Sequence, residues 1–419
     1  MRKYLLIFTI LAISSSAKIL TMQTCIDKAL DTHPDIKGFI LEVSKSEQSA
    51  ISARSGYLPH INLQAEYDFQ RTYVLPQNGQ FNTIDDKGWQ VGVTAQQKIW
   101  DFGKTSSKTQ SAKIQSEISR LSVQEAKKLI VYKIQSLYAS ILVQKEMIAV
   151  RQKDMQTKKA LYDQALAFVD QGLKTTSDAT RFLSSFYAAN DALYVAQSSY
   201  KKAVSSLSLY IAEQIVPDTE FENIFAQERP VSSSDFSDLQ QALLANNTQL
   251  QTYAKIIEKS KLQRKEAQAA HYGSFDAVAS YTQMDTLNSY DTKQIGITFN
   301  MPLYSGSDIS AQSQMASIAV NAAKQSKASA LLQLQDELNA LFIDLGQYEN
   351  TIDAKKAQLT SALSTKALIN GRYKEGLATY IEVLDATALY LDAELELLQA
   401  HFNRTMTQNR LHYLTGEPL

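Results

Sequence analysis

Five histidines (His33, His60, His271, His401 and His412) and one cysteine, Cys25, are the residues best suited to hold a metal or attack a carbonyl. They are scattered along the chain. There is no His-Glu-x-x-His, no Gly-x-Ser-x-Gly and no second cysteine. Neither a metal centre nor an acyl-transfer site therefore has a basis in the residues, and no enzyme activity or cofactor is expected. What remains is the chemistry of a surface. Asn62, Gln64, Glu66, Gln90, Thr94, Gln96, Thr298 and Asn300 fall at alternate positions of strand-like segments and would line one wet face. Acids and hydroxyls also gather behind two glycines, in FVDQGLKTTSDA and RYKEGLATYIEVLDA.

The segment KQIGITFNMPLYSG displays the strand pattern most plainly. Ile295, Ile297, Phe299 and Met301 alternate with Gly296, Thr298 and Asn300. Most of the remaining chain uses helix formers: Leu, Ala, Gln, Glu and Asp dominate Leu331 to Leu345 and Glu382 to Ala400. The fold class read from this balance is mainly α with a small β part.

The chain has 419 residues and a formal net charge of −1, so no basic face for nucleic acid is expected. The first residues, MRKYLLIFTILAISSSA, read as a secretory signal peptide over 1–17, with the mature chain starting near Lys18. Beyond it no apolar run reaches the roughly 18 residues of a membrane-spanning helix. Met22, Gln23 and Thr24 do not suit a lipoprotein cleavage site, so Cys25 reads as a packing residue.

The chain also repeats itself. Ala53, Ala65 and Tyr67 match Ala267, Ala279 and Tyr281, and both segments alternate as strands do. After a loop that is longer in the first copy, Gly92, Thr94, Trp100 and Gly172 match Gly296, Thr298, Tyr304 and Gly376 without a gap. Residues 18–213 form the first repeat, with a hairpin at about 58–102. Residues 241–419 form the second, with a hairpin at about 272–304. Residues 214–240, with Pro217, Pro230 and three serines in a row, form a linker.

Each copy reads as helix, β-hairpin, long helix, tip turn and return helix. Between Gly103 and Gly172 there is neither proline nor glycine, and at 1.5 Å per residue that span is a rod of roughly 100 Å. The matching span, Ser307 to Glu375, has Gly346 inside it. A seven-residue stripe (Ile134, Ile141, Ile148, Met155, Tyr162, Val169) implies supercoiling against a neighbour. Its counterparts are Leu338, Leu345, Ile352, Leu359, Lys366 and Tyr373, where Lys366 breaks the apolar pattern. Gly172 and Gly376 let the backbone reverse.

Strands of about ten residues with one apolar face suit a transmembrane barrel. Aromatic residues near their ends match its two interfacial girdles: Tyr57, Trp100, Phe102, Tyr272 and Tyr304 toward the helices, and Tyr67, Trp89, Tyr281 and Tyr290 toward the loops. Four strands cannot close, so several chains must contribute. The loops at 69–88 and 283–293 would face the cell exterior. Two other classes fit parts of the pattern: a periplasmic adaptor with a soluble β module, and a duct for proteins rather than small molecules.

Over nearly all of the mature chain the sequence resembles the TolC family of outer-membrane efflux proteins. The paired hairpins, MPLYSG after the fourth strand, and the two glycine turn segments carry the resemblance. It implies a homotrimeric duct in outer-membrane lipid, with four strands per chain in a barrel and coiled-coil helices forming a periplasmic tunnel. It also implies docking to a periplasmic adaptor protein and an inner-membrane pump, as in efflux and type I secretion, with the linker in a belt around the tunnel. In the family the helix tips close like an iris. By match to its motifs, Ser177 and Asp178 take acceptor positions, Tyr373 takes the tyrosine position, and Glu382 and Asp385 ring the entrance. Ala378 falls where some members have an arginine. Gly172, Leu173, Gly376 and Leu377 would form the turn surface an adaptor touches.

Overall fold

The computed structural model describes residues 19–74, 82–216, 219–224, 236–285 and 289–416. The signal segment, residues 217–218 and 225–235 of the linker, and the tip of the first hairpin lie outside these residues. No described helix is long and apolar enough to cross a membrane.

The described chain folds into two compact units, and each draws on both sequence copies. The first takes the residues up to Ile36 with Ala126–Asn247 and Gln333 onward. It is all helical apart from one short bridge. It contains α1 (Met22–Thr32), α4 (Thr176–Ile211), α5 (Phe236–Asn246), α8 (Tyr380–Thr415) and the later parts of α3 (Lys104–Asp170) and α7 (Asp308–Lys374). Cys25, Ile26 and Ala29 of α1 are buried with Ile134, Tyr138 and Ile141 of α3 and Leu207 and Ile211 of α4. Tyr138 lies within hydrogen-bond distance of two carbonyls, Leu20 O at 2.8 Å and Glu222 O at 3.0 Å. Leu20 itself bridges to Phe221, so this core ties the beginning of the described chain to the segment after α4. Burial raises the Cys25 thiol to about 11, which fits a packing role.

The seven-residue stripe runs down the helices as buried and half-buried positions. Ile134, Ile141, Leu338, Leu345 and Ile352 are buried. Lys366 interrupts the stripe for a visible reason. Its Nζ sits 4.2 Å from the centre of the Tyr390 ring, and burial first, then Lys153, pushes its pKa down.

The second unit takes Lys37–Glu125 and Thr248–Leu332. Here α2 (Pro34–Arg54), α6 (Thr248–Ala269) and the early parts of α3 and α7 accompany a four-stranded antiparallel sheet in the order β1-β2-β3-β4. The strands are β1 (His60–Val74), β2 (Asn82–Trp100), β3 (Ser274–Asp285) and β4 (Ser289–Asn300). The first hairpin is longer than its side-chain alternation suggests. Pairing continues to Val74↔Asn82, well into the span expected as a loop, because ladder hydrogen bonds are backbone bonds and need no apolar pattern. The second hairpin likewise pairs to Asp285↔Ser289, leaving little of 283–293 as loop.

Gly273 fixes the entry into β3. Its φ of +76° and ψ of −153° lie in a region essentially reserved for glycine. A Cβ there would lie 2.0 Å from the Asn300 carbonyl oxygen. Gly273→Ala should therefore lower the melting temperature and the yield of folded protein. Gly296→Ala, whose added Cβ meets nothing within 4 Å, should melt with the natural chain. Equal melting of both variants would show that this junction does not depend on the glycine.

Candidate functional site

The two helix tips are built by the same local rules. At the end of α3, Gly172 donates to Val169 O and Leu173 to Phe168 O, both at 2.9 Å. At the end of α7, Gly376 donates to Tyr373 O at 3.1 Å and Leu377 to Arg372 O at 2.8 Å. This double cap needs a left-handed residue, supplied by Gly172 at φ +72° and Gly376 at φ +75°. Thr175 and Thr379 then begin α4 and α8 with capping boxes closed by Asp178 and Glu382. A few residues thus reverse each chain path while satisfying its helix-end hydrogen bonds.

An aromatic cluster packs between the tips. Tyr373 of α7 lies 5.9 Å from Phe168 of α3 and 6.0 Å from Phe182 of α4, ring centre to ring centre. Phe182 also lies 6.3 Å from Tyr380 of α8. Leu161, Ala165, Ala179, Ala378 and Val383 complete this buried core. Two cations cover its edges: Lys174 Nζ lies 5.7 Å from the Tyr373 ring centre, and the Arg181 guanidinium carbon lies 5.1 Å from that of Tyr380. The cluster joins the ends of all four long helices, so separating α3 and α4 from α7 and α8 would open it.

One expected link is absent. Asp178 does not accept a hydrogen bond from Tyr373, whose buried hydroxyl has no hydrogen-bond partner among the described residues. Asp178 Oδ2 instead accepts from the Thr175 N–H at 3.3 Å, completing the helix cap. The carboxylate remains near enough to matter electrostatically. Burial, and secondarily the Asp178 charge, raises the Tyr373 pKa. Glu382 is engaged in the same way: its Oε2 accepts from Thr379 N–H at 2.6 Å and Thr379 Oγ1 at 2.8 Å. The Thr379 backbone bond, then its hydroxyl, and the attraction of Arg372 lower the Glu382 pKa. Ser177 and Asp385 are exposed, as are Leu173 and Leu377 at the turns. Ala378 is only 4% exposed, which leaves no room for an arginine in this packing.

The sheet supplies the wet face. Asn62 pairs with Thr94, Glu66 with Gln90 and Asp276 with Thr298, so these side chains share one side. Gln90 Nε2 donates to Glu66 Oε2 at 2.5 Å. The opposite side pairs Leu63 with Val93, Ala277 with Ile297 and Phe275 with Phe299. This apolar side is bare: Ile295 is 91% exposed, Leu63 72% and Ile297 70%. A soluble sandwich would cover it, so the soluble β module is disfavoured. No group of His, Cys, Asp or Glu among the described residues could hold a metal ion.

A family model described as outer membrane efflux protein matches residues 25–213 and 239–417. The chain belongs to the outer membrane efflux protein family. It is an outer-membrane channel protein, mainly α with a small β part. The chain is 22% identical over 407 residues to outer membrane protein TolC of Escherichia coli K12, covering 92% of this chain and 80% of that one. It is 21% identical over 403 residues to outer membrane efflux protein BepC of Brucella suis biovar 1, covering 94% and 85%. The fold also superposes on the crystal structure of VceC from Vibrio cholerae with a TM-score of 0.81 at 16% identity, covering 94% of this chain and 96% of that one.

Motif matching points to Tyr373 and Asp178 but misses the packing between them. Phe168, Phe182 and Tyr380 carry the cluster, and Lys174 and Arg181 cap it. The available signal was a run of large aromatics flanking both glycine turns, in a stripe otherwise made of smaller residues. Truncating a buried phenylalanine costs about 3–5 kcal/mol. Phe182→Ala should therefore separate the tips and speed proteolysis there, while Tyr373→Phe, which removes an unpartnered hydroxyl, should leave cleavage unchanged or slower. Faster cleavage in Tyr373→Phe than in Phe182→Ala would restore a hydrogen-bonded tyrosine as the main link.

Proposed function

We propose that three copies of this chain form an outer-membrane exit duct, closed at rest by its helix tips. The supporting observation is the sheet with one bare apolar face and one polar face, and with β1 and β4 unpaired at its outer edges among the described residues. In lipid each unpaired backbone group would cost several kcal/mol, so the sheet must close through other copies. Two copies would give a barrel filled by its own side chains, whereas three leave a duct. The apolar face then meets outer-membrane lipid and the polar face lines the channel.

In this assembly the two repeats, 18–213 and 241–419, contribute equivalent helix pairs, and the linker 214–240 joins a belt around the periplasmic tunnel. The exposed turn residues Gly172, Leu173, Gly376 and Leu377 dock the periplasmic adaptor. An inner-membrane pump loads the duct, in efflux or type I secretion. The aromatic cluster around Tyr373 and Phe182 is the latch of the resting iris. Ser177 and Asp178 sit at its rim, and Glu382 and Asp385 of three chains place six carboxylates about the narrow entrance. Such a ring concentrates cations.

Single-channel recording in planar bilayers tests this reading. Tyr380→Ala and Phe182→Ala should each raise conductance well above that of the natural channel. Replacing Glu382 and Asp385 together by Ala should lower cation selectivity and relieve block by multivalent cations added on the tip side. Unchanged conductance in both aromatic variants would remove the cluster as the latch, and unchanged selectivity would remove the acids as the ring.

A further inference from the structure

The aromatic residues of the sheet continue into a cleft that the duct does not use. On the apolar face Phe275 stacks on Phe299 with ring centres 4.5 Å apart. Phe102 lies 6.5 Å from Phe275, 6.2 Å from Trp100 and 5.4 Å from Tyr272. Phe102 and Tyr272 in turn form a wall of a cleft of about 620 Å³, where β2 passes into α3 and α6 into β3. The other walls are mainly polar, with Ser107 and Gln110 of α3, Lys265 and Gln268 of α6, and His271 of the following turn beside the apolar Leu262 and Ala269. Ser107 is only 7% exposed. Lys265 makes no ion pair among the described residues, and no carboxylate lines the cleft.

One wall is thus apolar and continuous with the membrane-facing band. The other carries a cation and several hydrogen-bonding groups. That division matches an amphiphile whose chains lie in the bilayer and whose anionic head lies at its surface. We propose that this cleft binds the phosphate headgroup of an anionic glycerophospholipid from the leaflet nearer the helices. Lys265 and His271 hold the phosphate, Ser107 and Gln110 take the polar head, and the acyl chains lie along Phe102 and Phe275. The lipid would fix the level at which the sheet meets the helices in the membrane. This inference rests on the barrel reading of the strands.

Native mass spectrometry of the full assembled protein, titrated with phosphatidylglycerol, tests it. The natural protein should retain up to one phosphatidylglycerol per chain. Lys265→Gln combined with His271→Gln should weaken retention about tenfold. Phosphatidylcholine should be retained less than phosphatidylglycerol, and millimolar inorganic phosphate should not displace the lipid. Equal retention by the double variant would show lipid held elsewhere on the barrel, and displacement by phosphate alone would show a free-anion site. Either result overturns the proposal. The same spectra report the assembly mass. Correct assembly with unchanged lipid retention sinks only the lipid site, whereas failure to assemble sinks the barrel reading beneath it.

Discussion

The outer edges of β1 and β4, unpaired among the described residues, are the constraint on which the rest of the chain depends. A sheet this long, bare on one face, cannot rest in water, because Ile295, Ile297 and Leu63 would stay exposed. It cannot rest alone in lipid either, because its edges would hold backbone donors and acceptors with no partners. The proposed closure with other copies would resolve both difficulties at once. It also explains why the chain is duplicated: each copy delivers one hairpin to a shared sheet, and each hairpin leads into a helix of 67 residues. Compact units that mix the two copies follow directly, since strands from both must lie side by side.

At the helix tips a different balance operates. Polar groups there mainly satisfy the ends of their own helices: Asp178 and Glu382 close capping boxes on Thr175 and Thr379. Cohesion between helix pairs comes from buried aromatic area. A capping residue contributes about 0.5–2 kcal/mol, and an exposed cation over a ring about 0.5–1 kcal/mol. Burying Phe182 and Tyr373 contributes more than either. With Ala378 packed inside the cluster, this cohesion rests on apolar contact instead of an ion pair. Contact of that kind weakens little with salt, unlike a link built from exposed charges.

The fold class was legible in the residues for physical reasons. A two-residue period in Ile295, Ile297 and Phe299, and a seven-residue period from Ile134 onward, each leave a direct trace in the chain. The turns were legible too, because Gly172 and Gly376 occupy backbone angles that other residues avoid. Partners at the tips were not. Whether Tyr373 meets Asp178 depends on how four helix ends approach one another, and that geometry has no local signature. A carboxylate three residues after a threonine N-cap has a nearer use, which competed with the tyrosine and prevailed. Lys366 could be seen to break the stripe, but its resting place over the Tyr390 ring could not be read from spacing. Strand length beyond Tyr67 was also hidden, since a ladder of backbone bonds leaves no alternation to read.

Disulfide trapping across the two open edges tests the closure most directly. With Cys25→Ser as background, Asn62→Cys on β1 would be combined in turn with Gln294→Cys, Gly296→Cys, Thr298→Cys or Asn300→Cys on β4, all on the wet face. Oxidation in intact outer membranes, followed by a denaturing gel, then counts the chains linked edge to edge. If three copies close the barrel, one register should give bands of one, two and three chains and nothing larger. A ladder that stops at two chains, one that runs past three, or the absence of any linked band in every register would contradict it.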